Sequence, residues 1–243
     1  DSENELGDLT KAGKVMRHRI QDLMAQNVKE QEAMRKSELK ALQSQINPHF
    51  LYNTLDSIIW MAEGRKYEEV VLMTASLARL LRQSISNEDE VVPLAREVEY
   101  AKGYLTIQKM RYKDKLEFEI DVEPSILNIP LIKLVLQPII ENAIYHGLKY
   151  KESKGLLQVK GFMKDGNAVL QVIDNGVGMD EETLSHIYDK HKVNYHSNGV
   201  GVYNVQKRLK LYYGENYGIT YESEKGVGTT ATIIIPGIQE ESI

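Results

Sequence analysis

The stretch Ala168-Val-Leu-Gln-Val-Ile-Asp-Asn-Gly-Val-Gly-Met179 decides how the C-terminal half of the chain folds. Ala168 to Ile173 alternates as a half-buried strand does, and it runs straight into Asp174 and two glycines. Gly176 and Gly178 let the backbone turn sharply and approach a flat ring, while a carboxylate at the strand end can accept a hydrogen bond from an exocyclic amine. Taken singly, the same residues also describe an ordinary tight turn.

Upstream, the spacing predicts a helix over Leu131–Gly147, apolar on nearly all sides in its first half and therefore buried. Its second half presents Glu141, Asn142 and His146, and Gly147 is expected to end it. An asparagine oxygen is a hard neutral ligand that suits Mg²⁺, although a lone asparagine within a helix is more often a local hydrogen-bonding residue. Downstream, residues 180–198 lose periodicity apart from a short helix near Glu181–Tyr188, as a lid would. Asn198-Gly-Val-Gly201 then opens a helix, Val202–Tyr213, and glycines at a helix N-terminus offer free N–H groups to phosphate. Gly218–Ser223 and Thr229–Ile235 are expected to pair as strands around Glu224-Lys-Gly-Val-Gly-Thr229.

The N-terminal half is helical in pattern. Leu9, Met16, Ile20 and Leu23 follow a heptad-like seam, which predicts a parallel two-stranded coiled coil with a register shift near residues 27–38. Leu39, Leu42 and Ile46, then Leu51, Leu55 and Ile58, mark one apolar helix face that Pro48 should kink beside His49. Asn47, Pro48, His49 and Asn53 crowd polar and helix-disrupting groups around one turn, a local conflict kept more often for function than for stability. After Glu63-Gly-Arg-Lys66 a second amphipathic helix spans Tyr67–Ser86, making a hairpin of which two copies form a four-helix bundle. Asn87-Glu-Asp-Glu90 is a polar linker, Pro93 opens a helix from Leu94 to about Tyr112, and Leu116–Val122 alternates as a strand.

Composition narrows the function further. With 243 residues and 42% hydrophobic content the chain can bury a core in one or two domains. A net charge of -5 gives no general attraction to polyanions and argues against direct nucleic-acid binding. The absence of cysteine removes disulfides, thiolate metal sites and a cysteine nucleophile. Asp-Ser-Glu-Asn-Glu5 does not resemble a signal peptide, and Ile129–Ile140 is too short and too interrupted to span a bilayer.

In their order, Asn142, Asp174-x-Gly-x-Gly178, Gly199-x-Gly201 and Gly226-x-Gly228-Thr229 resemble the N, G1, G2 and G3 boxes of the GHKL ATPases. Together with Gln45-Ile-Asn-Pro-His-Phe-Leu-Tyr-Asn53 and Leu136-Gln-Pro-Ile-Ile-Glu-Asn-Ala-Ile-Tyr-His-Gly147, they make nearly the whole chain resemble the cytoplasmic portion of a YesM/LytS-type sensor histidine kinase. The resemblance implies an α+β chain: residues 1–34 as a signalling coiled coil ending a HAMP-like helix, residues 35–90 as the dimerisation and phosphotransfer hairpin, and residues 91–243 as an α/β sandwich that binds ATP.

It further implies that His49 is the phosphoacceptor, that Asn142 holds Mg²⁺ against the ATP phosphates, and that Asp174 reads the adenine amine. Gly176 and Gly178 would shape the adenine wall, Gly199 and Gly201 hinge the lid, and Gly228 with Thr229 close the base pocket, with His146, Asn204 and Arg208 as further phosphate or ribose contacts. The implied partners are a second copy of the chain and the receiver domain of a response regulator, with membrane attachment only through segments upstream of residue 1. Many such kinases carry an acidic residue directly after the phosphoacceptor. Phe50 stands there, leaving the proton acceptor to Glu141 or, less favourably placed, Asp56. The alternative function is a non-catalytic, nucleotide-gated relay, or a protein that chiefly dephosphorylates its regulator. His186, His191 and His196 are spaced by five and share no helix face, which argues against a metal site there.

Overall fold

The computed structural model describes residues 13–14, 16–31, 48–85, 91–187 and 199–237. Two compact units divide the chain, residues 1–51 and Tyr52–Ile243. Within the first, residues 16–31 form helix α1, whose Met16, Ile20 and Leu23 are all exposed. Leu9 and the register shift expected near residues 27–38 lie wholly or mostly outside the described residues, as do Leu39 to Asn47. Helix α2 is described over Pro48–Glu63, and the turn before Pro48, where a kink is expected, lies outside the described residues. Helix α3 spans Tyr67–Ile85.

The α2–α3 turn is a Schellman motif. Lys66 N–H donates to the Met61 carbonyl at 2.9 Å and Arg65 N–H to Ala62 at 3.0 Å. The left-handed residue is Arg65, at φ 58°, and not the glycine beside it. Helix α4, Leu94–Tyr112, lies against α3, where the Leu80 side chain fills the space over Gly103. Its buried stripe is Leu94, Glu97, Ala101, Tyr104, Leu105, Ile107 and Gln108; the spacing predicts Val98, Ala101, Leu105 and Ile107 or Gln108 inward, and of these Val98 is only half-buried while Leu94, Glu97 and Tyr104 are added.

Strand β1, Val91–Pro93, pairs antiparallel with β3, Pro130–Ile132, in a two-stranded sheet. The main sheet holds β2 (Leu116–Val122), β4 (Gly155–Lys164), β5 (Asn167–Asp174), β6 (Gly218–Glu224) and β7 (Gly228–Pro236), in the order β2-β4-β5-β7-β6. Only the β2–β4 pair is parallel. Alternation puts Leu157 and Val159, Leu170 and Val172, and Ala231, Ile233 and Ile235 on one buried face, in register as Val159↔Val172↔Ala231. Helix α4 covers that sheet at β2, and helix α7, Gly199–Tyr213, covers it at β6 and β7 through Val202, Val205 and Leu209. Strand β4 is an element the sequence reading did not anticipate. It turns into β5 through Asp165 (φ 50°) and Gly166 (φ 77°), a two-residue turn of type I′.

The helix expected over Leu131–Gly147 is corrected at both ends. Pro130–Ile132 is strand β3, Leu134 takes a left-handed φ of 60°, and helix α5 covers only Leu136–Asn142. A wider π-turn, Ala143–Leu148, continues it past Gly147. Gly147 is thus no stop signal. Its space is taken by Asp174, whose Oδ1 would stand 2.7 Å from any β-carbon there.

Candidate active site

A cavity of about 610 Å³ opens between α5 with its π-turn, the ends of β5 and β7, the glycine turn after β5, and the short helix α6, Glu181–Ser185. Ile139, Ala143, Val172 and Ala231 give it an apolar floor. Asn142, His146, Asp174, Gly178 and Thr229, all expected at a common site, line it together.

Asp174 sits where the inward face of β5 meets the turn. Gly176 N–H donates to its Oδ1 at 2.8 Å, and the Thr229 amide also contacts the carboxylate. Burial pushes the Asp174 carboxyl up to about 6, against the pull of those two amides and of the Lys151 charge. A carboxylate this poorly solvated gains by receiving an amine N–H from a ligand.

Glycine is dictated around it by close approach. A β-carbon on Gly176 would lie 2.4 Å from the Gly147 carbonyl, one on Gly178 (φ 64°) 2.0 Å from the Glu224 carbonyl, and one on Gly228 2.0 Å from the Asp174 carbonyl. The turn after β5 and the β6–β7 turn therefore interlock through their backbones. Gly226 N–H donates to Val177 at 2.7 Å, and Met179 N–H donates to Ser223 Oγ at 2.8 Å. Gly176 and Gly228 shape the pocket from behind and do not line it.

Asn142, which also lines the cavity, has a buried Oδ1 with no hydrogen-bond partner. A buried acceptor left bare costs free energy unless something completes it, and a neutral amide oxygen is a donor that suits Mg²⁺. His146 stands at the cavity, and partial desolvation and nearby Lys149 hold its pKa below the ordinary histidine value.

Glu141 and Arg208 lie elsewhere. Glu141 is buried outside the cavity lining, takes the Gln137 side-chain amide at 2.8 Å, and is pushed up by burial. Arg208 donates to the Lys133 carbonyl at 2.8 Å, so its guanidinium holds the turn before α5 instead of lining the cavity. Asn204 is exposed and does not line the pocket either. Gly199 and Gly201 fall inside helix α7, where a β-carbon on Gly201 would press on Pro138 of α5 at 3.3 Å. Of residues 180–198, expected as a lid, 188–198 lie outside the described residues. His49 occupies the first turn of α2 with its side chain exposed.

Further contributors were not assigned to the site from the sequence. Lys151 Nζ donates to the Asn175 carbonyl and places its charge near Asp174, while Asn175 Oδ1 accepts the Leu156 N–H at 2.7 Å and ties the turn to β4. Glu182, Thr183 and His186 bring polar groups from the α6 side. The Asx cap that starts α6, in which Asp180 accepts from Thr183 N–H at 2.9 Å, was legible as an N-cap signal.

Residues 37–116 match the family described as histidine kinase, and residues 128–239 match the histidine kinase-, DNA gyrase B-, and HSP90-like ATPases. The chain is 37% identical to the sensor histidine kinase YesM of Bacillus subtilis (strain 168), covering 97% of this chain and 39% of that protein. It is 32% identical to the sensor protein LytS of Oceanobacillus iheyensis, over 84% of this chain and 35% of that one. The sensor histidine kinase BtsS of Escherichia coli (strain K12) is 29% identical, over 89% and 36%. The chain thus spans less than half the length of these relatives. A solved histidine kinase domain from Erythrobacter litoralis EL346 aligns over 82% of this chain and 92% of that one, with 16% identity and a TM-score of 0.47.

Proposed function

Since the chain belongs to the sensor histidine kinase family of the YesM and LytS type, we propose that it is an ATP-dependent autokinase that phosphorylates His49 and passes the phosphoryl group to an aspartate of a response regulator. The observation that carries the reading is one cavity lined by both a desolvated carboxylate, Asp174, and Asn142, whose amide oxygen is buried and bare.

Each residue has a separate task. Asp174 accepts the adenine amine while the apolar floor takes the ring face, and the interlocked glycine turns hold that carboxylate in place. Bound through Asn142, Mg²⁺ would neutralise phosphate charge, which is most of what phosphoryl transfer requires of a protein. The exposed His49 ring attacks the γ-phosphorus: an N–P bond forms, the bond from that phosphorus to the ADP oxygen breaks, and the ring proton passes to a base. Glu141, on the same helix as Asn142, is the proposed base; it is buried against Gln137 outside the cavity lining and must turn from there to take the proton.

The family and the exposed apolar residues of α1 support a homodimer, with residues 1–34 as signalling coiled coil, 35–90 as the hairpin, and 91–243 as the ATP-binding domain. Among the described residues no helix is long and apolar enough to cross a membrane. Membrane attachment is assigned to segments upstream of residue 1, and the regulator to the hairpin as its docking surface.

The experiment is labelling of the purified chain with Mg-ATP. Acid-labile label is expected, absent in His49→Gln, strongly reduced in Asn142→Ala, and reduced about 100-fold in Glu141→Gln with nucleotide affinity kept. Equal labelling of His49→Gln refutes the phosphoacceptor. Binding without any transfer would instead favour a nucleotide-gated relay.

A further inference from the structure

The turn that delivers Asn142 is built by a residue from another helix. Helix α5 has seven residues before the π-turn that continues it, and its own N-cap, Val135, supplies no side-chain acceptor. A helix this short does not sustain itself, and its first N–H groups need partners from elsewhere. Glu97 of α4 supplies them. Its Oε1 accepts from Leu134 N–H at 3.0 Å, and its Oε2 from Val135 N–H at 3.0 Å and Leu136 N–H at 3.1 Å. The carboxylate is buried, and a left-handed Leu134 (φ 60°) aims these three amides at it. From the other side Arg208 grips the Lys133 carbonyl, and its charge lies close enough to act on Glu97.

We infer that Glu97 is a positioning residue, which sets the register of α5 and thereby the placement of the Asn142 amide oxygen, so that metal-dependent nucleotide affinity depends on where α4 sits. Helix α4 is also packed on α3 through Leu80 and Gly103, so the helix that carries Glu97 links the hairpin side of this unit to the turn before α5. The inference rests on the nucleotide-binding reading above. It adds a group that touches neither nucleotide nor metal.

The test is ATP affinity with and without Mg²⁺, measured by calorimetry on the full chain and on Glu97→Gln. The isosteric amide keeps the size but places an NH₂ donor against backbone N–H donors. Outer-shell substitutions typically weaken metal binding 10–100-fold, so affinity with Mg²⁺ is expected to fall about 10-fold, while metal-free affinity, carried by Asp174 and the apolar floor, stays within about twofold. A merely structural loss would weaken both alike, and that result, or no change in either, overturns the inference. If Glu97→Gln does not fold, Glu97→Asp carries the test, because it keeps the charge but falls one methylene short. It should show a smaller loss confined to the Mg²⁺-dependent component, and an equal loss in both components overturns the inference again. A wild-type chain that binds no ATP would instead refute the nucleotide-binding reading itself.

Discussion

Replacing Asp174 by asparagine should stabilise the nucleotide-free protein while removing its nucleotide. The carboxyl titrates at about 6 in the folded chain against 3.8 when exposed, chiefly because burial disfavours its charge. The native state therefore keeps its proton while the unfolded chain has already lost it, and stability falls as pH rises through the window from 3.8 to about 6. A shift of roughly two units is worth up to about 3 kcal/mol once both states are ionised. Asparagine carries no such penalty. It keeps an acceptor for Gly176 N–H but opposes an NH₂ donor to one of the remaining partners, at a cost of about 1 kcal/mol that does not change with pH.

Denaturant unfolding of both chains at pH 4.5 and pH 8 separates the two contributions. The stability advantage of Asp174→Asn should grow by about 2 kcal/mol across that interval, since other acidic groups cancel between the chains. With ATP the order reverses, because the variant opposes an NH₂ group to the adenine amine and should bind about 100-fold more weakly at pH 7.5. That difference should shrink below pH 6, where the wild-type carboxyl is itself protonated, and the titration of the nucleotide cancels in the comparison. A stability gap independent of pH, or one that narrows on raising it, refutes the claim that Asp174 is held in a desolvating pocket.

Other outcomes follow from single contacts. Gly147→Ala adds a good helix former but drives a β-carbon to 2.7 Å from Asp174 Oδ1, so nucleotide affinity should drop at least tenfold while the melting temperature moves little. Gly178→Ala forces a left-handed alanine against the Glu224 carbonyl and should cost about 2–4 kcal/mol in urea unfolding as the interlocked turns separate. Arg65→Gly relieves a left-handed side chain at the end of α2 and should stabilise the chain by about 0.5–1 kcal/mol with labelling unchanged. Ile20→Glu combined with Leu23→Glu should convert a dimer to a monomer in light scattering, and an unchanged mass would remove α1 from the dimer contact.

What the sequence disclosed was local chemistry. Asp174 with its glycines, the β6–β7 pair, α3, α4 and α7 were all legible because each is signalled within its own few residues by alternation, helical spacing or a turn. Strand β4 was equally signalled, by alternating Leu157, Val159 and Gly161 and by Asp165-Gly166, the strongest short hairpin mark, and went unread. The helix start is a different matter. An apolar run through Leu131 and Ile132 is compatible with either a strand or a buried helix, and nothing between Pro130 and Leu136 says where one gives way to the other.

The deciding residues there are Val91 and Val92, which pair with that run as β1, and Glu97, whose carboxylate caps the helix that follows. Both lie before Leu116–Val122, in a stretch where the pattern showed only a linker and a helix. Glu97 appears in its own helix as an ordinary charged residue, and only burial with three amide donors distinguishes it. The same separation explains Gly147, whose reason for being glycine is a carboxylate on a strand two elements away. Residues that touch a ligand can be recognised by type and spacing. Those that hold such residues in place are defined by three-dimensional contact, so it is among buried charges with backbone partners that further determinants of this site should be sought.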